Sequence, residues 1–119
     1  MTTWNLQGTV SHLLICNGSS CRKHKGEEVA AAIEQEIGKQ GAEARIHTTV
    51  TRCNGRCSDA CVVIAYPEGV WYQGITPKLA KKLVRKHLKG KQLKENVVYT
   101  FNKKLKAVDQ RGGKGKKKT

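Results

Sequence analysis

The chain has 119 residues, with 23 Lys or Arg against 9 Asp or Glu for a net charge of +14, and five cysteines. That length fits one domain, and no apolar run approaches the roughly 18 residues of a membrane span, which argues for a soluble protein without one. The opening MTTWNLQGTV has no charged n-region, apolar h-region or cleavage site. A cytoplasmic location is expected, a reducing compartment where clustered thiols act as metal ligands or catalytic groups more often than as disulfides.

After an arm at residues 1–9, residues 12–16 (HLLIC) form a short apolar run of the kind that makes a buried strand, and the NGSS that follows breaks it. From about Glu27, the residues Val29, Ala30, Ile33 and Ile37 recur at helical spacing with glutamates on the other faces. Glu27 and Glu28 suit the start of that helix, Lys39 and Gly41 its end. Residues 44–50 (ARIHTTV) read as a second strand, so strand, helix and strand predict a right-handed parallel crossover.

Residues 61–66 (CVVIAY) form the most apolar run, separated by Pro67, Glu68 and Gly69 from Val70, Trp71 and Tyr72, which predicts a hairpin. Thr76 and Pro77 then supply an N-cap and a first-turn proline. In the helix they open, Leu79, Ala80, Leu83, Val84 and Leu88 share one face and six basic residues cover the rest. Residues 93–101 (LKENVVYTF) suggest a late edge strand or a docked arm. The order is βαβ followed by ββα, an α/β fold with a basic C-terminal extension.

The positive charge is concentrated late in the chain. Up to residue 77, seven basic and seven acidic residues cancel; beyond it, sixteen basic residues face only Glu95 and Asp109. Residues 110–119 hold Arg111, Lys114, Lys116, Lys117 and Lys118 among three glycines and no apolar side chain, so the segment 102–119 reads as a disordered tail. Such a tail serves solubility, or tethers the protein to an acidic partner or nucleic acid.

The cysteines carry the chemistry. Cys16 ends the first strand and Cys21 precedes the first helix; Cys53 and Cys57 lie between the second and third strands. In a parallel crossover the loops leaving both strands converge, so all four thiols can meet in one site. Four thiolates suit structural zinc, whose pairs usually enclose two residues, whereas these pairs enclose four (NGSS) and three (NGR). Wider spacing suits a two-iron cluster, although the plant-type ferredoxin spacing does not match. Spacing alone leaves both metals open.

The pattern Cys16-x4-Cys21, then Cys53-Asn-Gly-Arg-Cys57, an apolar strand and GVWYQGITP ending at Pro77 resembles the thioredoxin-like [2Fe-2S] ferredoxins over about residues 10–90. These include small stand-alone ferredoxins and the related cluster subunit of the NADH:quinone oxidoreductase flavoprotein module. The resemblance implies a thioredoxin-like βαβ-ββα fold with a four-stranded mixed sheet in a domain spanning residues 10–101, and a [2Fe-2S] cluster ligated by Cys16, Cys21, Cys53 and Cys57. It also implies one-electron transfer to a reductase or biosynthetic enzyme, with cobalamin and tetrapyrrole pathways among those of relatives, and no substrate chemistry in the protein itself. Homodimers occur among relatives.

Backbone donors from Gly18, Ser19, Gly55 and Arg56 are then placed to bond cluster sulfur, and Arg22, Lys23 and Arg52 to meet an acidic redox partner. Cys61 reads as a small core residue rather than a spare ligand. His12, His24, His47 and His87 follow no metal-pair spacing, and Trp71 and Tyr72 read as hairpin packing. Two competing expectations are a zinc-stabilised module that binds nucleic acid or protein through its cationic helix and tail, and a cluster-based redox sensor.

Overall fold

The computed structural model describes residues 2–118; Met1 and Thr119, the outer ends of the expected arm and tail, lie outside the described residues. β1 (Ser11–Cys16) turns Leu13 and Ile15 inward and pairs in parallel with β2 (Ile46–Thr51), bringing Cys16 opposite Thr51. Between them run a short helix α1 (Ser19–Lys23) and the crossover helix α2 (Gly26–Lys39), which buries Val29, Ala32, Ile33 and Ile37. β3 (Val63–Tyr66) pairs antiparallel with β1, and β4 (Val70–Tyr72) returns beside β3 as the expected hairpin.

Thr76 caps α3 (Pro77–Leu88) by accepting a hydrogen bond from the Leu79 N–H at 3.2 Å. Ala80, Leu83 and Val84 pack inward, and the lysines ride on the outer face. α2 and α3 lie side by side. Across their contact the Glu36 carboxylate, 2% exposed, accepts from Gln40 at 2.7 Å and pairs with Arg85 at 3.4 Å. The Gln40 amide outweighs desolvation, and with Arg85 and Lys39 it holds that carboxyl below its usual range.

The sheet has six strands in the order β2-β1-β3-β4-β5-β6, which corrects the expected four. β5 (Val97–Asn102) pairs with β4, and β6 (Lys104–Ala107) pairs with β5 through a turn at Lys103. The reading of 93–101 as an edge strand or arm is replaced by a one-turn helix at Lys94–Asn96 and an inner strand. Hydrophobic periodicity misses β6 because its four residues, KLKA, are all exposed and bury nothing. The β5–β6 pair thus runs across residue 101, the expected boundary between domain and tail.

This topology makes one end of the sheet a meeting point. β1 and β2 finish side by side, and β4 finishes at the same end. There the N–H groups of Gly74 and Ile75 donate to the carbonyls of Asp59 and Cys61 at 3.0 and 3.1 Å. Among the described residues no helix is long and apolar enough to cross a membrane.

Candidate metal centre

The loops leaving β1 and β2 bring Cys16, Cys21, Cys53 and Cys57 around one cavity, with Gly18, Ser20 and Arg56 completing its wall. The thiols divide two and two. Cys16, at the end of β1, and Cys21, on the inner face of α1, are 3% and 2% exposed; Cys53 and Cys57 lie exposed, their sulfurs 3.4 Å apart. The Cys16 thiol donates to the Arg52 carbonyl at 3.5 Å, tying the first cysteine loop to the second.

The loops touch because one residue lacks a side chain. A Cβ on Gly18 would stand 2.7 to 2.9 Å from the Cα, Cβ and N atoms of Cys53, closer than atoms pack. Gly26 lets α2 start against the Cys21 carbonyl, which a Cβ would meet at 2.9 Å.

Donors surround the sulfurs. The Gly55 N–H reaches Cys53 Sγ at 3.2 Å. Burial pushes the Cys16 thiol up, but hydrogen bonds from the Gly18 backbone, Cys21, and the side chain and backbone of Asn54 outweigh it and leave it below the ordinary thiol value. Burial dominates at Cys21, pushed up to about 12. Cys57 is raised chiefly by its bond with Cys53. A metal binds these cysteines as thiolates, so its binding must displace their protons.

Four thiols with donors aimed at them match the ligand chemistry of an iron–sulfur cluster. Zinc draws its ligands to a single point about 2.3 Å from each sulfur. The two-and-two division suits a pair of metal atoms.

The other expected residues fall as follows. Ser19 opens α1 and is exposed; Arg56 contributes its side chain to the cavity wall. Arg22, Lys23 and Arg52 are exposed outside that wall, and Arg22 pairs with Glu27 at 3.4 Å. Cys61 lies under α1, its thiol donating to the carbonyls of Cys21 at 3.2 Å and His24 at 2.9 Å, away from the cavity. Burial raises its thiol.

The histidines have structural partners: His12 bonds Thr49 at 2.7 Å and packs on His47, His24 bonds the Ser20 carbonyl, and His87 bridges Tyr72 and Glu68. Trp71 packs edge-on to Tyr99, and Tyr72 is fully buried. Sequence reasoning missed the Asn54 side chain and Asp59. The spacing of Arg56 and Asp59, three apart as a helical ion pair would be, was the one available sign of the last.

No family model matches the chain. A Priestia megaterium protein named as a 2Fe-2S ferredoxin is 49% identical over 105 residues, 87% of this chain and 82% of its own length. A 2Fe-2S ferredoxin of Aquifex aeolicus is 36% identical over 87 residues, 71% of this chain and 77% of that one. Two solved structures of a thioredoxin-like [2Fe-2S] ferredoxin from Aquifex aeolicus superpose with TM-scores of 0.71 and 0.69, at 26% and 27% identity. They cover 79% and 76% of this chain, and 94% and 97% of theirs. The fold, the paired cysteine loops and these likenesses agree: the chain belongs to the thioredoxin-like [2Fe-2S] ferredoxin family.

Proposed function

We propose that this protein carries single electrons through a [2Fe-2S] cluster ligated by Cys16, Cys21, Cys53 and Cys57. The observation that carries this reading is the convergence of four thiols from two distant loops on one cavity, split into a buried and an exposed pair. When bound, such a cluster supplies a one-electron couple. The chain's own groups supply the setting. Cys16 and Cys21 seat the ligand set away from water, and N–H donors from Gly18, Asn54, Gly55 and Val62 stabilise sulfur charge. Cys53 and Cys57 face solvent, so electrons enter and leave on their side.

Ferredoxins pass electrons to partner proteins and are not themselves enzymes. The acceptor proposed is a reductase or biosynthetic enzyme in the cytoplasm, the cobalamin and tetrapyrrole enzymes suggested by the resemblance among them. Exposed Arg22, Lys23 and Arg52 are proposed to contribute to its docking. Protein purified without oxygen should be red-brown, lose much of its visible absorption with dithionite and regain it on reoxidation. A colourless, iron-free preparation would remove the reading.

A further inference from the structure

Residues 111–113 are seated against the cysteine loop by a closed set of polar contacts. Asp59 is 3% exposed although it is an acid. Its Oδ2 accepts from Arg56 Nε at 2.8 Å and Nη2 at 2.6 Å, and its Oδ1 accepts from the Gly113 N–H at 2.7 Å. Arg56 Nη2 also donates to the Gly113 carbonyl at 2.7 Å, and the guanidinium lies 5.0 Å from the centre of the Tyr99 ring. Just upstream, Arg111 Nη1 donates to the carbonyls of Lys94 and Val97 at 2.6 and 3.1 Å. A buried carboxylate with both oxygens occupied is costly to strip of a partner, so this seat differs from a casual surface contact.

The seat is cut for glycine. Gly112 has φ +81°, and a Cβ there would stand 2.9 Å from Asp59 Oδ2 and 3.0 Å from Arg56 Nη2. A Cβ on Gly113 would overlap the exposed Ser58 Oγ, which can rotate away, and one on Gly115 would meet only Arg56 Nη1 at an ordinary 3.6 Å.

We propose that Arg56, Asp59 and Gly113 form a latch that fixes Lys114, Lys116, Lys117 and Lys118 beside the exposed Cys53 and Cys57, where these lysines dock a redox protein presenting carboxylates at its own electron-transfer site. The proposal rests on the electron-carrier reading above. Arg56 is the link: it lines the cysteine cavity, precedes Cys57 and holds Gly113. Lys114 therefore begins at the rim through which electrons pass. The four lysines are exposed and form no ion pair among the described residues, and Asp59, which bonds Gly113, is already paired with Arg56.

Their charge is thus free for a partner, and its sign selects an acidic one. The other dense basic surface, Lys82, Arg85, Lys86, Lys89 and Lys91, lies along α3 and just beyond it. That helix starts at the cysteine end and runs away for about 18 Å, so its far lysines stand clear of the rim.

The test uses the loaded protein, reduced with dithionite and then oxidised in a stopped-flow instrument by ferricyanide or by hexaammineruthenium(III). In each reaction one electron leaves the reduced protein and the oxidant gains it. Four chains are compared: wild type; Gly112→Ala, whose methyl group meets Asp59 and Arg56 and opens the latch while keeping every lysine; Gly115→Ala, which also keeps every lysine but leaves the latch closed; and a quadruple change of Lys114, Lys116, Lys117 and Lys118 to Gln.

At low ionic strength, Gly112→Ala and the quadruple variant should react with the ferricyanide anion more slowly, on the order of tenfold, without slowing toward the ruthenium cation. Gly115→Ala should match wild type, and the differences should close at high salt. The Gly113 amide, which donates to Asp59, should also exchange with solvent slowly in wild type and fast in Gly112→Ala.

Equal ferricyanide rates in all four chains, with reversible bleaching intact, would overturn the latch and leave the carrier reading standing; a wild type that never bleaches would take both down. Binding of a short DNA duplex by wild type and Gly112→Ala alike, beside equal ferricyanide rates, would assign the lysines to nucleic acid and also overturn the proposal.

Discussion

Replacing Gly18 with alanine is expected to give a colourless protein, isolated beside a coloured parent. Gly18 has φ −62° and ψ 171°, a conformation any residue adopts, so alanine brings no backbone strain. What it brings is a methyl group 2.7 to 2.9 Å from the main chain of Cys53, with no flexible side chain to give way. The loops leaving β1 and β2 must then separate, and the buried and exposed thiol pairs part with them. Iron per chain should fall at least about tenfold, since misplacing metal ligands is at least as harmful as losing their supporting hydrogen bonds.

Gly55 is the informative contrast. Its φ of +80° disfavours alanine, but a Cβ there meets nothing within 4 Å. Gly55→Ala should cost about 1 kcal/mol of stability from backbone strain and keep its colour. Iron analysis and thermal melts on the two variants separate the two roles of glycine; a coloured Gly18→Ala protein would mean that close contact of the loops does not hold the site together.

The second large effect concerns which sulfurs matter. Cys21→Ser should be colourless, because a buried hydroxyl on the inner face of α1 replaces a thiolate that solvent cannot substitute. Cys16→Ser should behave alike. Cys57→Ser lies at the exposed rim, where oxygen or water can approach, so residual but unstable colour is expected. Cys61→Ser should keep both colour and potential. Its thiol serves two backbone carbonyls, which a hydroxyl also serves, so the expected cost is about 1 kcal/mol of packing and hydrogen-bond geometry. Visible absorption with iron and sulfide analysis on the four variants checks the assignment. A colourless Cys61→Ser beside a normal Cys57→Ser would reverse it.

Much of the framework was legible residue by residue. The apolar run ending at Cys16, the helical recurrence of Val29, Ile33 and Ile37, and the Thr76-Pro77 cap each announce their element through local chemistry. The meeting of Cys16, Cys21, Cys53 and Cys57 followed from one topological fact, the parallel pairing of β1 with β2. The features that stayed hidden depend on distant partners. Lys104 to Ala107 read as a polar tail because β6 is held by backbone hydrogen bonds to β5 and not by burial. Asp59 looks like a surface acid until Arg56 and a glycine 54 residues later enclose it. The split of the thiols into buried and exposed pairs depends on α1, five residues too short to register as a hydrophobic period.

Metal and acid-labile sulfide analysis on protein purified without oxygen tests the central claim most directly. The account predicts two irons and two sulfides per chain and negligible zinc. One zinc per chain with neither iron nor sulfide would contradict it.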